Sequence, residues 1–446
     1  MTTASGAPLM PPILTAEEID RVRSPFRAAS LLPARAYHDE AIFEFERREW
    51  FGRDWIVVGR AEDVPTPGSY MLAELDGEPL VIVRGRDEVV RAFFNVCRHR
   101  GTAVVEEQCG TAVRFQCPYH AWIYDLDGRL VRAKHTDDLA DFRFEDFGLQ
   151  PVRIDTWQGF LFASLAADGP SLADQLGDLD AHFARFDVAS LRVAHSASYE
   201  VDTNWKFVAE NYSECYHCPG LHPQLNRLTP YDLGADFDPN GEWQGGYMEL
   251  AADAETMALA GGHRNGRPSM AGSTADDERR VTYYLVWPNL FLSIHPDYLL
   301  VHTLTPTAAG HTRIDCQWLF EPASIARPDF DPADAIEFWD LTNRQDWHVC
   351  ELQHRGTKSR SWVAGRYSNA EPSVHAFDLM CVDRYAADGV VSSRTIRERY
   401  DVPLPPIERD DRAADAGPGG ANDSAGPAGH HRTADRTNAR ATASRT

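Results

Sequence analysis

The chain has 446 residues, and its 67 acidic against 44 basic side chains give a net charge of −23. This length predicts two or three domains with enough apolar material for a sizeable core. The acidic balance argues against nucleic acids and anionic membrane surfaces as partners, because both carry the same sign of charge.

The apolar residues are distributed as in a globular protein. They make up 43% of the chain, yet no apolar run approaches the roughly 20 residues that a membrane helix needs. The N-terminal residues lack the charged and apolar regions of a signal peptide, so a cytoplasmic location is expected. In that compartment the eight cysteines are expected to be free or metal-bound rather than paired in disulfides.

The N-terminal part of the sequence predicts two helices followed by strands. Thr15 and Glu18 have the spacing of a capping box, which opens a short helix, and a second helix is predicted over residues 39–51. From residue 55 to about 165, short apolar runs are divided by turn residues, a pattern typical of strands. This region therefore predicts a small all-β domain.

The rest of the chain predicts a second domain that mixes helices and strands. Helices are expected over 172–186 and 332–355, and residues 230–280 have the composition of loops. The last residues, 406–446, are poor in large apolar side chains and predict a disordered tail. Four apolar runs predict strands: VTYYLVW from Val281, LFLSIHP from Leu290, YLLVHTLTP from Tyr298 and TRIDCQWLFEP from Thr312.

One stretch, residues 204–222 (NWKFVAENYSECYHCPGLH), is dense in side chains that bind metals. On a helix, Glu214 and His217 would share a face because they are three residues apart. His217 and His222 are five apart and would diverge on an unbroken helix, but the Pro-Gly pair at 219–220 is expected to end the helix between them. The second imidazole can then turn back toward the first. We therefore predict a metal site.

A second set of metal-binding side chains lies in the predicted β domain. Cys97 and His99 are separated by 17 residues from Cys117 and His120, so that two thiols and two imidazoles are expected to converge. A Cys2His2 zinc site needs the same four side chains. One Cys and one His on each of two loops is, however, the pattern of a Rieske 2Fe-2S centre, in which one iron takes the thiolates and the other takes the imidazoles.

The motifs CRH…CPYH and NWK…ENYSECYHCPGLHP resemble those of the large subunit of Rieske non-haem iron oxygenases, and the resemblance runs from about residue 40 to residue 405. It implies an α+β fold, with an all-β Rieske domain followed by a catalytic domain of the helix-grip (START-like) type, built on an antiparallel sheet. It also implies a homotrimer in which the cluster of one subunit serves the iron of its neighbour. We accordingly expect N-terminal helices that pack on the catalytic domain, the Rieske domain, the catalytic domain and a tail, at residues 1–44, 45–168, 169–405 and 406–446.

The resemblance implies two cofactors per chain. One is a 2Fe-2S Rieske cluster on the four residues of the β domain, and the other is a mononuclear Fe(II) on two histidines and one carboxylate. His217 and His222 are the expected imidazole ligands. The residues alone leave Asp340, Asp346 and Glu351 open as the carboxylate ligand, and the resemblance favours Asp346.

The resemblance gives Glu214 a role other than that of a ligand. The acidic residue at this position in the family contacts the first iron histidine, here His217, and the second Rieske histidine of the neighbouring subunit, here His120. A carboxylate between two imidazoles fixes their tautomers and links the two metal centres. Ring-dihydroxylating members typically have Asp here, whereas this chain has Glu. Asn211 is expected to be an amide near the open coordination positions.

Other candidate ligands are expected to have structural roles. Cys215 and Cys218 could supply thiolates to a zinc site, but thiolates would close a site that must bind O2. Both are therefore expected to be small buried apolar residues. His295 and His302 lie on strands that line the predicted catalytic cavity and are expected to be structural.

The expected function is that of the oxygenase component of a multicomponent enzyme. A flavin or iron-sulfur reductase would deliver electrons from NAD(P)H, directly or through a ferredoxin, and O2 would oxidise a small-molecule substrate. The ECYHC sequence with its Glu, and the run WPNLFLSIHPDY, resemble the branch that acts on choline, glycine betaine or carnitine. The alternatives are an aromatic-ring hydroxylating dioxygenase or aryl demethylase and, outside the enzymes, a Rieske electron-transfer or zinc protein. A simple electron-transfer protein would not need the second domain.

Overall fold

The computed structural model describes residues 13–395. The predicted tail at 406–446 and the predicted end of the catalytic domain at residue 405 lie outside the described residues. The α-helices are α1 (Ala16–Arg23), α2 (Arg35–His38), α3 (Glu40–Glu46), α4 (Leu172–Leu176), α5 (Leu179–Phe183), α6 (Trp205–Tyr212), α7 (Cys218–Leu221), α8 (Pro223–Leu228), α9 (Leu259–Gly262), α10 (Pro322–Ile325), α11 (Ala333–Thr357) and α12 (Pro372–Ala386).

The strands fall into two groups along the chain. The first group is β1 (Ile56–Arg60), β2 (Ser69–Leu75), β3 (Glu78–Arg84), β4 (Val90–Phe94), β5 (Cys109–Thr111), β6 (Phe115–Gln116), β7 (Ile123–Tyr124), β8 (Leu130–Arg132), β9 (Pro151–Trp157) and β10 (Phe160–Ser164). The second group is β11 (Arg192–Val201), β12 (Gly234–Asp236), β13 (Trp243–Glu249), β14 (Arg280–Val286), β15 (Leu290–Ile294), β16 (Leu299–Ala308) and β17 (His311–Phe320).

Both predictions of N-terminal helices are confirmed. Thr15 begins α1 as a capping box: its hydroxyl accepts a hydrogen bond from Glu18 N–H at 3.2 Å, and the Glu18 carboxylate accepts one from Thr15 N–H at 2.7 Å. Asp39 caps α3, and the helix continues as a π-helical turn over Arg47–Phe51. Helix α1 packs against α12, near the other end of the described chain.

The first group of strands forms the predicted all-β region. Antiparallel strands in the order β1-β10-β9-β4-β3-β2-β5 make one sheet, and β6, β7 and β8 make a small second sheet. Residues 80–83 of β3 are fully buried, because this strand is covered on both faces. The C-x-H motif lies in the connection between β4 and β5, and the C-x2-H motif lies in the connection between β6 and β7.

The second group forms one antiparallel sheet in the order β11-β17-β16-β15-β14-β13-β12. Its strands β14 to β17 coincide with the four predicted runs to within about two residues, and α11 confirms the helix predicted over 332–355. Several elements were not predicted, among them β11, α12 and, inside the region 230–280 that was predicted as loops, β12, β13 and α9. Strand β11 is mostly exposed and rich in small side chains, β13 contains the Gly245-Gly246 pair, and α12 is buried nearly all round and so lacks an amphipathic period.

The single helix predicted over 172–186 is wrong, because the structure has two short helices there, α4 and α5. Gly177 separates them with a φ of 57°, a left-handed conformation that glycine adopts without steric cost. A Cβ at this position would lie 1.7 Å from the carbonyl oxygen of Asn240. The close approach of these two backbone segments therefore requires glycine.

One face of the second sheet packs against α6 and α11. Direct cross-strand pairing aligns five residues on this face, one from each of β13, β14, β15, β16 and β17. All are buried, and we call them the floor row: Gln244, Leu285, Phe291, His302 and Cys316. Within residues 13–395, no helix has both the length and the apolar character needed to cross a membrane.

Candidate metal centres

The loop after α6 carries Glu214 and His217, and its path differs from the prediction. Helix α6 ends at Tyr212, so Glu214 and His217 do not share a helix face. The predicted helix break at 219–220 is also wrong, because these residues lie inside the one-turn helix α7. Proline is tolerated there because the first-turn N–H groups have no partner within a helix. His217 begins α7 and His222 follows its end, which brings the two imidazoles to the same side.

His217, His222 and Asp346 converge as predicted. The Nε2 atom of His222 lies 2.8 Å from Asp346 Oδ1, and that of His217 lies 3.4 Å from the same oxygen. One ligand atom from each residue falls within 4.8 Å of the others, and in the described part of the chain no other group of three or more His, Cys, Asp or Glu residues does so. The other carboxylates considered make different contacts: Asp340 accepts a hydrogen bond from Tyr199, and Glu351 accepts one from a backbone N–H.

Each of the two imidazoles makes a hydrogen bond at Nδ1, so that its Nε2 atom is available to bind a cation. Gln345 Oε1 lies 2.7 Å from His222 Nδ1 and also accepts a hydrogen bond from Gln224, so Nδ1 of His222 is the donor. Glu214 Oε1 lies 2.6 Å from His217 Nδ1 and accepts a hydrogen bond from it in the same way. Nδ1 donation on both rings is the arrangement that directs Nε2 at a metal.

The charges of this site also suit a cation. Burial lowers the pKa of His217, but hydrogen bonds to Asp346 and Glu214 outweigh it and raise the pKa to about 10. Burial raises the pKa of Asp346, but hydrogen bonds from His217 and His222 outweigh it, so the pKa lies below its usual value. The carboxylates thus stabilise positive charge between the two rings, and a metal ion supplies such charge. The donor set fits ferrous iron, which takes two His and one carboxylate on one face.

Two further residues singled out in the sequence, Glu214 and Asn211, lie on this loop and at the end of α6. Glu214 Oε2 accepts hydrogen bonds from the N–H groups of Tyr216 and His217, so the side chain is fixed against its own loop. Asn211 lies half-buried on the last turn of α6 and makes no side-chain hydrogen bond within residues 13–395, so its role stays a prediction. Gln345 was not predicted, although its position directly before Asp346 was a usable signal.

The prediction for Cys215 and Cys218 is wrong. They form a disulfide, whereas the sequence predicted two free apolar residues. Cys218 is buried, but Cys215 is only partly covered. The chain turns between them at Tyr216 and His217, where Cys218 N–H donates to the Cys215 carbonyl at 3.1 Å, and the pairing closes the short loop that contains His217. The other six cysteines are free.

The four residues of the β region lie together, with their thiols inside and their imidazoles outside. Cys97 and Cys117 are each 2% exposed, whereas His99 and His120 are exposed, with ring centroids 4.6 Å apart. Burial raises the pKa of the Cys117 thiol, and the adjacent Cys97 thiol adds to this rise. The Tyr124 hydroxyl lies 3.3 Å from Cys97 Sγ. A 2Fe-2S cluster with two thiolates at its inner iron and two imidazoles at its outer iron fits this arrangement.

Comparison with known proteins agrees with both centres. Residues 54–143 match the family "Rieske [2Fe-2S] domain", and residues 188–387 match the family "Ring hydroxylating alpha subunit (catalytic domain)". The chain is 31% identical over 395 residues to the glycine betaine monooxygenase oxygenase subunit of Pseudomonas aeruginosa, an alignment that covers 82% of this chain and 91% of that protein. It is 34% identical over 335 residues to the carnitine monooxygenase oxygenase subunit of Acinetobacter baumannii, covering 74% and 86%.

The fold is also similar to that of a solved structure from this group of enzymes. The structure of the quaternary ammonium Rieske monooxygenase CntA in complex with its substrate L-carnitine superposes with a TM-score of 0.69 at 25% identity, over 82% of this chain and 98% of that one. The predicted α+β architecture, a Rieske domain followed by a catalytic domain with an antiparallel sheet, is thereby confirmed. The chain belongs to the Rieske non-haem iron oxygenases.

Proposed function

We propose that this oxygenase oxidises a small quaternary ammonium compound such as choline, glycine betaine or carnitine, by hydroxylation next to the nitrogen and N-dealkylation or further oxidation. The observation that carries the proposal is the convergence of His217, His222 and Asp346: their ligand atoms lie within 4.8 Å of one another, and both imidazoles make a hydrogen bond at Nδ1. Bound iron supplies O2 activation at such a site, and a Rieske cluster supplies electrons one at a time.

The residues of the two metal centres would have separate roles. Asp346 and the two Nε2 atoms hold the mononuclear iron, while Gln345 and Glu214 keep both rings in the required tautomer. The two thiols and two imidazoles of the β region hold the cluster. Glu214 lies beside Tyr216, which is 57% exposed, so this loop reaches the surface where a neighbouring subunit could contact it. We propose a homotrimer in which Glu214 bridges His217 and His120 of the neighbouring subunit.

The substrate class rests on two kinds of support. Proteins similar to this chain over most of their length act on glycine betaine and carnitine according to their names. Aromatic rings also gather beside the iron residues: Tyr212 stacks on Phe291 with centroids 4.5 Å apart and meets Tyr283 at 6.1 Å. An aromatic face attracts a trimethylammonium group by about 0.5–2 kcal/mol per contact. We further propose a flavin or iron-sulfur reductase that draws electrons from NAD(P)H, directly or through a ferredoxin, and a cytoplasmic location.

Metal analysis of one variant tests the iron site. Wild-type protein is expected to contain about three irons and two acid-labile sulfides per chain, the sum of one 2Fe-2S cluster and one mononuclear iron. Asp346→Ala is expected to retain about two irons, with the visible spectrum of the cluster unchanged. Asp340→Ala is the matched control, because Asp340 lies on the same helix but bonds Tyr199 and Arg344 instead. Three irons in Asp346→Ala would refute the ligand assignment.

Product analysis tests the substrate class. The protein, a surrogate reductase and NADH are mixed with choline, glycine betaine, L-carnitine or benzoate-type acids, and O2 uptake is compared with product formed. Coupled O2 use and N-dealkylated or aldehyde product are expected with one of the quaternary amines. Coupled turnover with aromatic acids alone would replace this proposal by the aromatic-ring hydroxylating or demethylating alternative.

A further inference from the structure

The floor row contains an imidazole whose second nitrogen has no hydrogen-bond partner among residues 13–395. His302 is 3% exposed, and its Nε2 lies 3.1 Å from Asn343 Oδ1. The Nδ2 group of Asn343 donates to Cys316 Sγ at 3.6 Å, which sets the orientation of the amide and makes Oδ1 the acceptor. His302 Nε2 is therefore the donor of this hydrogen bond. Nδ1 of His302 is buried and unpaired within the described residues.

The protonation state of His302 defines what Nδ1 can bind. Burial lowers the pKa of His302 to about 4, so the ring is neutral near pH 7. A neutral imidazole carries one N–H and one lone pair. Because Nε2 holds the proton, Nδ1 offers a lone pair and can only accept a hydrogen bond. A buried acceptor without a donor is unfavourable, and native structures usually satisfy it with water or with a ligand.

The His302 ring lies near the helix that carries Asp346. Asn343, the partner of His302, precedes Asp346 by three residues and therefore by about one turn of α11. The His302 ring also lies 6.4 Å from the Tyr212 ring and 6.1 Å from the Trp347 ring, between centroids. Tyr212 ends α6, directly before the loop that carries the iron histidine. His302 thus lies between α11, which carries Asp346, and the end of α6, from which the loop to His217 starts.

A second residue of the floor row has the same character. Gln244 is 3% exposed, and its Nε2 group donates to Ser213 Oγ at 2.7 Å. Its Oε1 atom is buried and has no partner in residues 13–395. Both unpaired atoms of the row are therefore acceptors, and the groups between them, Leu285 and Phe291, are apolar. The row therefore has two buried acceptors with apolar side chains between them.

We propose that His302 Nδ1 accepts a hydrogen bond from a hydroxyl group of the substrate, so that the enzyme selects quaternary ammonium compounds that carry a hydroxyl. The inference rests on the proposed function, and it narrows the substrate class of the same site. It makes His302 a specificity-determining residue, whereas the sequence predicted a structural one. Choline and carnitine have the required hydroxyl, and glycine betaine and γ-butyrobetaine do not.

The test compares two ligands that differ by one hydroxyl. L-carnitine and γ-butyrobetaine are titrated calorimetrically into the iron-loaded enzyme without O2 and without reductant, so that only binding is measured. Wild-type protein is expected to bind L-carnitine about tenfold more tightly, because the analogue leaves the buried acceptor unpaired. A ratio within twofold would overturn the inference, since it would mean that water or nothing occupies Nδ1.

Variants assign the effect to His302. His302→Phe keeps a ring but lacks the acceptor, and it is expected to bring the two dissociation constants within twofold of each other. His302→Gln, which restores an acceptor and serves if the Phe variant does not fold, is expected to keep part of the preference. His195→Phe is the control, because His195 is an exposed histidine on the edge strand β11, and its ratio should equal that of wild type. A tenfold ratio that persists in His302→Phe would also overturn the inference.

The binding results show whether the role of His302 or the proposed substrate class is wrong. If γ-butyrobetaine and L-carnitine bind equally well, the role of His302 is wrong while the quaternary ammonium proposal stands. If neither binds and benzoate-type acids do, the proposed function is wrong and the inference falls with it.

Discussion

Replacing Lys206 by Met is expected to destabilise the protein strongly, because it leaves a buried carboxylate without its counter-ion. Lys206 and Glu46 are both fully buried, and Lys206 Nζ lies 2.6 Å from Glu46 Oε1. The carboxylate also accepts hydrogen bonds from Trp205 Nε1, at 2.8 Å, and from the Tyr385 hydroxyl. This cluster joins α3 to α6 and α12. Removing one partner of a buried ion pair typically costs about 3–5 kcal/mol.

The assay is thermal unfolding of the iron-loaded protein, with Lys206→Met compared against wild type. At roughly 2 °C per kcal/mol, the low end of the range for large domains, Tm should fall by about 6–10 °C. The double variant Glu46→Gln/Lys206→Met removes both charges and keeps the acceptor for Trp205, so most of the loss should be recovered. Arg21→Met breaks an exposed pair with Glu17 and should change Tm by less than about 2 °C. A Lys206→Met protein as stable as wild type would refute the reasoning.

Two further predictions concern the cysteines and the pH dependence of stability. Denatured protein freed of its cluster should show six thiols before reduction and eight after it, because Cys215 and Cys218 are paired; eight thiols before reduction would contradict the pairing. Burial lowers the pKa of His295 to about 3 and that of His354 to about 4, from 6.5. The unfolded chain therefore binds more protons at these residues between about pH 6.5 and pH 4, so Tm should fall as the pH drops through this window, and His295→Phe should flatten the decline.

The metal-binding motifs could be predicted because they are local. Cys97 with His99, and Cys117 with His120, are pairs within single loops, and the β pattern around them places the loops in one small domain. The third iron residue could not be predicted in this way. Asp346 lies 124 residues after His222, on helix α11, and nothing in the sequence around it separates it from Asp340. Only the resemblance to a family favoured it.

The path of the chain between His217 and His222 shows where a spacing rule fails. The five-residue separation suggested a long helix broken at Pro219, but α6 already ends at Tyr212 and a separate one-turn helix follows. Pro219 is compatible with the first turn of that helix and does not end it. The disulfide between Cys215 and Cys218 was missed for the same reason, because its geometry depends on the turn at residues 216–217, directly before this helix. Local propensity does not decide where so short a segment ends.

Each residue of the NWK sequence helps to hold α6 in place. Asn204 begins the helix: its Oδ1 accepts from Lys206 N–H at 3.0 Å, and its Nδ2 donates to the Ala309 carbonyl at 2.8 Å. Trp205 and Lys206 both bond Glu46. One turn later, burial and the nearby Asp378 raise the pKa of Glu210 well above its usual range.

These contacts explain why a loop with little regular structure can carry a metal site. The loop that holds Glu214 and His217 starts from a helix whose first residues are fixed to a neighbouring strand connection and to the N-terminal helices, all within a buried interior. Placing functional groups next to a rigid element reduces the positional error that the site must tolerate. Loss of the Lys206 counter-ion should therefore weaken iron retention as well as stability. If iron content stayed at about three per chain in Lys206→Met while Tm fell, the helix anchor and the metal site would be independent.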